Sequence, residues 1–151
     1  MIIVLQRVDV ACIKIEDIKI AEIGKGIVLF VCIEENDTDK DIIYWSNRIP
    51  ELRIFPDSNG KMNISVKQSD AEVLVVSQFT LVANLREGRR PGFQGSAPPD
   101  KAKAYIDIFI NKLRESGLKV KTGVFGAFMK VHLVNDGPVT FISRGGSGLA
   151  I

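Results

Sequence analysis

The chain has 151 residues, 46% of them hydrophobic, and a formal net charge of +2 at pH 7, which favours one globular domain (residues 1–151) over a disordered chain. It has neither an apolar run of the roughly 18 residues that cross a bilayer nor the basic opening of a signal peptide, so we expect a cytoplasmic protein without a membrane partner. The low net charge excludes a protein that wraps long nucleic acid and allows only a local basic patch.

The first part of the chain alternates short β-branched segments with turns, which predicts strands. These segments are "MIIVLQRV", "ACIKI" and "IKIAEI", with Glu16-Asp17 as the turn between the last two. The next segment, "GIVLFVCI" (26–33), is apolar almost throughout, as expected for a strand covered on both faces. A helix follows, which Asp37 or Thr38 can cap and which ends near Arg48.

The middle of the chain predicts a hairpin and then an interior strand. "LRIF" (52–55) opens the hairpin, and "PDSNGK" (56–61) is its turn, with Asn-Gly at the tip. "AEVLVVSQ" (71–78) predicts the interior strand. Residues 83–98 then form a loop rich in Gly, Pro and Arg, and loops of this length in compact domains are usually functional or disordered.

The last part of the chain predicts a second helix and further strands. Pro98 and Pro99 open the helix, Gly117 ends it, and its buried stripe is Ala102, Ile106, Phe109 and Leu113. "LKVKTG", "MKVHLV" and "PVTFIS" predict strands before a Gly/Ser-rich tail. The whole pattern indicates an α/β protein of the α+β type, with a mostly antiparallel, barrel-like β core and two main helices.

Reactive side chains are sparse in this sequence. Cys12 and Cys32 lie among aliphatic residues without the CxxC spacing of a zinc site, so we expect a buried, reduced pair and no metal or cofactor. His132 shares the polar face of its strand with Lys130, which favours a solvated histidine over a catalytic one. Without a second histidine or a well-placed carboxylate, a Ser-His-Asp triad has no support.

Three other segments are candidates for a site. The SQFT segment (residues 77–80) ends the interior strand, and its hydroxyl groups suit either a ligand or the backbone groups of a strand end. The arginine loop, defined here as residues 84–92, suits either a ligand or solvent. The NDGPVT segment (135–140) contains a Gly-Pro pair, which by itself indicates only a turn. The arginines of the loop are Arg86, Arg89 and Arg90.

In order and spacing, four stretches together resemble the D-aminoacyl-tRNA deacylase family. They are "RIFPDSNGKMN", "VVSQFTL", "REGRRPGF" and "TGVFGAFMKVHLVNDGPVTF", and the similarity begins at "QRV" and covers nearly the whole chain. Phe128 departs from the family pattern, since relatives usually carry an aspartate there. Asn84 and Gly92 stand where an aspartate and a serine are usual, and the tail "RGGSGLAI" runs beyond many relatives.

The resemblance implies a homodimer that hydrolyses the ester between a D-amino acid and the 3′-terminal adenosine of tRNA. It implies a composite pocket at the dimer interface, with the Gly-Pro pair, in the cis form, entering the pocket of the other subunit. The residues that it assigns to the pocket of one subunit are Ser77, Gln78, Phe79, Thr80 and Met129, and those that it assigns to the entering segment are Gly137, Pro138 and the buttressing Arg7. Arg86, Arg89 and Arg90 would contact acceptor-stem phosphates.

These residue types suit an ester that is already activated. Its hydrolysis needs a correctly placed water and a stabilised oxyanion. The backbone N–H of Phe79, alone or with that of Thr80, can stabilise the oxyanion, and one well-aimed donor typically contributes about 2.7–4 kcal/mol. The 2′-hydroxyl of the terminal ribose can serve as the base. The carbonyls of Gly137 and Pro138 can hold the α-ammonium so that an L side chain meets the dipeptide while a D side chain or glycine does not.

Two alternatives remain open from the sequence. The first is a small-ester hydrolase that uses Thr80 or Ser77 as its nucleophile, although the motif contains no neighbouring base. The second is a non-catalytic module that binds an RNA end through the arginine loop.

Overall fold

The structure is a computed structural model that describes residues 1–146; the end of the Gly/Ser-rich tail, residues 147–151, lies outside the described residues. The elements of the described part are β1 Ile2–Ile15, β2 Ile18–Ile23, β3 Gly26–Cys32, α1 Asp39–Arg48, β4 Arg53–Pro56, β5 Met62–Ser65, β6 Glu72–Ser77, α2 Pro99–Glu115, β7 Lys119–Thr122 and β8 Lys130–Arg144, with 3-10 helices at Ile49–Glu51 and Phe79–Val82. The predicted α/β class with two main helices is confirmed.

The long strand β1 organises the main sheet, whose order is β2-β1-β3-β6-β7, with β8 also paired to β1. Ala11 pairs with Ile23 and Val8 pairs with Gly26, so β2 and β3 follow β1 antiparallel in the same register, which shifts only between Ile13 and Lys14. Gly26 is required at this junction, because a Cβ there would lie 2.0 Å from the carbonyl oxygen of Glu72.

The sheet is mixed within residues 1–146. Every pair that includes β1 is antiparallel, as is the β4–β5 hairpin, whereas β3–β6 and β6–β7 are parallel. The chain between β6 and β7 runs through α2, and a parallel pair needs such a crossover. As a result the carboxyl ends of β3, β6 and β7 meet at one edge, which is where ligands bind in many α/β folds.

The two faces of the sheet build two cores, because side chains alternate along each strand. Val73 and Val75 of β6 pack toward the helices, against Ile106 and Phe109 of α2. Leu74 and Val76 face the other way and pack with residues from the far half of β1, including Ala11 and Ile13. The sheet therefore curls onto itself, which gives the barrel-like core that the sequence predicted.

Two sequence predictions need correction. "MIIVLQRV" and "ACIKI" are not separate strands but the single strand β1, and "MKVHLV" and "PVTFIS" are both parts of β8. Each long strand is held together by the other, since their pairing extends from Ile2 with Arg144 to Lys14 with Lys130. The interruption predicted at Gly-Pro is a bulge in β8 rather than its end.

The helices follow their predicted boundaries. Thr38 is the N-cap of α1, and its backbone N–H donates to the Asp41 carboxylate over 2.8 Å. Pro99 opens α2, and Gly117 follows its end with φ of +95°. The predicted stripe of α2 is buried. Among residues 1–146 no helix combines the length and apolar character that crossing a membrane requires.

Candidate active site

The SQFT segment lies where β6 ends and a short 3-10 helix begins. Ser77 is the last residue of β6 and pairs with Val31 of the parallel strand β3. The next residue, Gln78, donates its backbone N–H to the carbonyl of Val31 over 2.8 Å. Phe79 opens the 3-10 helix, and both it and Thr80 are exposed to solvent. The segment is thus anchored by β3 at its start and open at its end.

Two backbone N–H groups of this segment are free within the described chain. The first N–H groups of a helix have no intrahelical acceptor, and no other acceptor in residues 1–146 binds those of Phe79 and Thr80. In a trans peptide the N–H points opposite to the preceding C=O. The Phe79 carbonyl lies 3.5 Å from the buried thiol of Cys32, so the Thr80 N–H points away from the core.

The buried thiol of Cys32 helps to fix the orientation of the Phe79–Thr80 peptide. Burial, with the neighbouring Glu34 carboxylate, raises the pKa of the Cys32 thiol to about 11. The thiol therefore stays protonated at neutral pH, where it can donate to the Phe79 carbonyl and cannot act as a nucleophile. Both cysteines are free, as predicted, although Cys12 is only partly buried.

The hydroxyl groups of the SQFT segment have no base beside them in the described chain. The side-chain amide of Gln78 donates a hydrogen bond to the Thr80 hydroxyl, and an amide nitrogen cannot accept the proton of a nucleophile. His132 pairs with Cys12 on β1 and is exposed, as predicted for a solvated strand histidine. Within residues 1–146 no group of three or more His, Cys, Asp or Glu side chains could hold a metal ion.

The arginine loop begins directly after the 3-10 helix. Asn84 and Gly92 close its neck with two backbone hydrogen bonds of 2.8 and 3.1 Å. The Asn84 side chain also accepts the Arg86 N–H over 3.0 Å, which shapes the turn. The arginines at the tip, Arg86, Arg89 and Arg90, are all exposed. Next to the neck, the ring of Phe93 meets the ring of Phe79 edge to face with centroids 5.2 Å apart.

The second candidate segment forms a wide bulge in β8. Gln6 of β1 pairs with Thr140, and Val8 pairs with Asn135, so residues 136–139 stand opposite Arg7 alone. We call residues 136–139 the Gly-Pro bulge. Its Gly137–Pro138 peptide bond is cis, and both residues are exposed. A Cβ on Gly137 would meet one described atom within 4 Å, the side-chain oxygen of Asn135 at 3.7 Å, so this chain itself does not require glycine there.

Arg7 and Asn135 hold the Gly-Pro bulge in place. The Arg7 side chain is 10% exposed, and it donates from Nε to Asp136 over 2.7 Å and from a terminal nitrogen to the Ile54 carbonyl over 2.6 Å. The Asn135 amide donates to the carbonyl of Arg7 over 2.8 Å and to that of Val139 over 3.3 Å. The bulge is therefore fixed on both sides while its Gly-Pro tip stays open.

Replacing Arg7 by alanine is expected to destabilise the fold by about 2–3 kcal/mol, because it leaves the buried Ile54 carbonyl and the Asp136 carboxylate without their donor. This corresponds to a fall in Tm of roughly 4–12 °C for a chain of this size. Thermal unfolding followed by circular dichroism measures the change. Lys19→Ala is the matched control, since its ion pair with Glu22 is exposed, and equal Tm values for the two variants would contradict the buttressing role.

Met129 and Phe128 lie at the same end of the parallel strands as the SQFT segment. The Gly123 N–H bonds to the carbonyl of Val75 over 3.2 Å, which places the loop after β7 beside β6. A Cβ on Gly123 would lie 2.3 Å from the Met129 sulfur, so Met129 packs over this loop. Phe128 is 98% exposed, so its ring makes almost no contact within the described chain.

One chain does not bring the SQFT segment and the Gly-Pro bulge together. Arg7, opposite the bulge, pairs with Ile27 of β3, and Ile27 pairs with Val73 of β6. Ser77 lies four residues further along β6, so the two segments are roughly 13 Å apart in the strand direction. They are also separated across the sheet, because β8 and β6 are three strand spacings of about 4.8 Å apart. A cavity of about 320 Å³ that is partly lined by Asp136 of the bulge contains no SQFT residue.

Sequence reasoning missed several residues of this region. Asn135 and Asp136 were visible in the NDGPVT segment, but their contacts with Arg7 depend on the pairing of β8 with β1. Cys32 was assigned only to the core, and nothing in the local sequence indicates that its thiol reaches Phe79. The contact of Phe93 with Phe79 likewise arises from the course of the loop.

Comparison with known proteins supports the resemblance seen in the sequence. The family model described as D-Tyr-tRNA(Tyr) deacylase matches residues 4–144. A D-aminoacyl-tRNA deacylase of Thermotoga petrophila is 50% identical over 139 residues, which cover 92% of this chain and 93% of that protein.

Two solved structures share the fold. The c-Myc DNA Unwinding Element Binding Protein superposes with a TM-score of 0.90 at 36% identity, covering 97% of this chain and 100% of that one. A probable eukaryotic D-amino acid tRNA deacylase has a TM-score of 0.84 at 17% identity, over 94% of this chain and 97% of the other, and supports the fold alone. From the family match and the 50% identity it follows that the chain belongs to the D-Tyr-tRNA(Tyr) deacylase family.

Proposed function

We propose that this protein hydrolyses the ester bond of D-aminoacyl-tRNA, and of tRNA mischarged with glycine, to release the amino acid and tRNA. Family membership supports the reaction class. The observation that carries the proposal in this chain is the pair of free N–H groups of Phe79 and Thr80 at the exposed end of β6. Such groups suit the oxyanion of an acyl-transfer reaction.

The proposed chemistry needs no protein nucleophile. A water attacks the ester carbonyl carbon, the two N–H groups stabilise the negative oxygen, and the intermediate expels the 3′-oxygen of the terminal ribose. The neighbouring 2′-hydroxyl of that ribose orients the water, accepts one of its protons and passes its own proton to the departing 3′-oxygen, so that free amino acid and tRNA with a 3′-hydroxyl are released. The side-chain amide of Gln78 donates a hydrogen bond to the Thr80 hydroxyl, which supports a role for these two side chains, together with Ser77, in shaping the pocket.

The proposed site is composite, with the Gly-Pro bulge entering from a second copy of the chain. Within residues 1–146, β8 pairs with β1 alone, so its 15-residue outer edge is available for a partner. Val134, Phe141 and Ile142 of β8 expose apolar surface on either side of the bulge. A two-fold contact through this face would form two equal sites at once.

In this proposal, main-chain atoms distinguish D-aminoacyl from L-aminoacyl esters. Carbonyls of Gly137 and Pro138 accept hydrogen bonds from the substrate α-ammonium, and the open space around Gly137 admits this close approach. An L side chain would then collide with the dipeptide, whereas a D side chain projects outward and glycine has none. Rejecting L-substrates 10,000-fold needs about 5.5 kcal/mol, which a clash with a fixed backbone supplies. Met129 lines the wall of the pocket.

The arginine loop completes the proposed substrate contacts. Arg86, Arg89 and Arg90 lie exposed beside the SQFT segment and can bind acceptor-stem phosphates without recognising sequence. An aminoacyl-tRNA substrate supports a cytoplasmic site of action in this proposal.

The proposal is tested by deacylation of matched D-tyrosyl-tRNA and L-tyrosyl-tRNA. We expect the D-ester to be cleaved at least about 1,000-fold faster in kcat/KM, a difference of roughly 4 kcal/mol, and glycyl-tRNA also to be cleaved. Release of labelled amino acid over time measures both rates. Equal rates on the two enantiomers would contradict chiral selection, and binding of tRNA without turnover of either ester would leave a non-catalytic RNA-end module.

A further inference from the structure

We propose that Phe79 and Phe93 form a stacking platform for the unpaired nucleotides of the tRNA 3′ end, with Phe93 holding the base that precedes the esterified adenosine. We call the two rings the aromatic platform. The inference rests on the proposed function and adds a subsite to it.

The first observation is that both rings are exposed although they touch each other. Phe79 is 57% and Phe93 36% exposed, with an angle of 66° between the ring planes. An edge-to-face pair leaves one face of each ring open, and every nucleobase can stack on such a face. The pair adjoins the free N–H of Phe79, so a base on it would lie beside the reacting ester.

The second observation is that the backbone next to Phe93 is held by hydrogen bonds. The residues that follow Phe93 are bonded to the segment directly after β3. The Ala97 N–H donates to the Ile33 carbonyl, and the Glu35 N–H donates to the Gly95 carbonyl, each over 3.0 Å. Ser96 adds a bridge to Glu34. A surface held in this way loses little conformational freedom when a ligand binds.

The third observation is the positive charge of the arginine loop beside the platform. The arginine loop, whose neck ends immediately before Phe93, contains three arginines and one glutamate, a formal charge of +2 that equals that of the whole chain. Bases stacked on the platform would therefore carry their phosphates toward this basic loop. Aromatic rings beside a basic strip are the usual elements of single-strand binding sites.

The order of these features assigns the nucleotides. The N–H groups of Phe79 and Thr80 must face the ester, which is on the terminal ribose. The Phe79 ring comes next, Phe93 lies one ring further away at 5.2 Å, and the arginine loop follows. An RNA strand that leaves the ester in this direction places its terminal nucleotide at Phe79 and the preceding one at Phe93.

The test compares two substrates, D-tyrosyl-tRNA and the D-tyrosyl ester of adenosine, which lacks the preceding nucleotide. For Phe93→Ala we expect KM for D-tyrosyl-tRNA to rise about tenfold, with kcat within about twofold and the adenosine ester unaffected. Phe93→Trp is expected to restore the KM. Ile18→Ala, which truncates an exposed apolar side chain at the start of β2, outside both candidate segments, is the control and should match wild type on both substrates.

Other outcomes overturn the inference. Equal losses on both substrates would mean that Phe93 acts only through the backbone of Phe79, and no loss on either would remove the subsite. A changed oligomeric state of Phe93→Ala in sedimentation would assign the ring to a protein interface instead. Failure of the proposed function is distinct, because the wild-type protein would then cleave neither D-tyrosyl ester.

Discussion

Replacing Gly137 by alanine is expected to leave the fold intact and to lower kcat/KM for D-tyrosyl-tRNA by about 100-fold, equivalent to roughly 2.7 kcal/mol. Inside the chain the new methyl group has room, since its nearest described neighbour is the Asn135 oxygen at 3.7 Å. The φ of Gly137 is not in the left-handed region, so alanine is also allowed by the backbone. The Tm should therefore stay the same or rise slightly.

The loss arises between chains in our proposal. The Gly-Pro bulge of one copy approaches the substrate bound at the SQFT segment of the other, and a methyl group would occupy the gap between them. Overfilling a packed contact by one methylene-sized group typically costs about 1–3 kcal/mol, which is the size of the expected effect. A variant that is stable, dimeric and inactive on D-substrates separates this account from a folding defect.

Gly24→Ala is the matched control for this variant. Its Cβ would make an ordinary contact of 3.6 Å with Glu72, and it lies at the β2–β3 junction, outside both candidate segments. The measurement is single-turnover deacylation with each variant, together with thermal unfolding. Wild-type activity of Gly137→Ala would remove the Gly-Pro bulge from the site.

Local patterns predicted much of this fold because local chemistry determines those elements. The Glu16-Asp17 turn, the Asn-Gly hairpin, the Thr38 cap and the Gly117 stop all depend on a few neighbouring residues. The SQFT segment could also be placed at a strand end from its position after an apolar run. Such features need no knowledge of which strands pair.

The parts that could not be predicted depend on pairing between distant segments. Whether Gly137 ends a strand or forms a bulge is decided by β1, more than 120 residues earlier in the chain. The contact of Cys32 with Phe79 follows from the register of β3 against β6, and a shift by one residue would turn the thiol to the other face. The site is therefore a consequence of register, and register is a property of the whole sheet.

The second large effect on the rate is expected from a change in the substrate, the removal of its 2′-hydroxyl. A D-tyrosyl-tRNA that ends in 2′-deoxyadenosine should be cleaved at least about 100-fold more slowly than the natural ester, because general-base assistance is typically worth 10²–10⁴ in rate. The expectation follows from the surroundings of the SQFT segment. No described side chain beside Ser77 or Thr80 can take a proton, and the Gln78 amide only donates to the Thr80 hydroxyl.

The measurement is single-turnover cleavage of the two esters at saturating protein, which separates the chemical step from binding. The KM of the deoxy substrate should stay close to that of the natural one, since the aromatic platform and the arginine loop contact other atoms. Thr80→Ala provides the comparison within the protein: it removes the hydroxyl but keeps the backbone N–H, so we expect a smaller loss than the deoxy substrate shows. Full turnover of the deoxy ester would remove the ribose hydroxyl from the mechanism. An acyl group trapped on Thr80 and seen by mass spectrometry would place the catalytic hydroxyl on the protein.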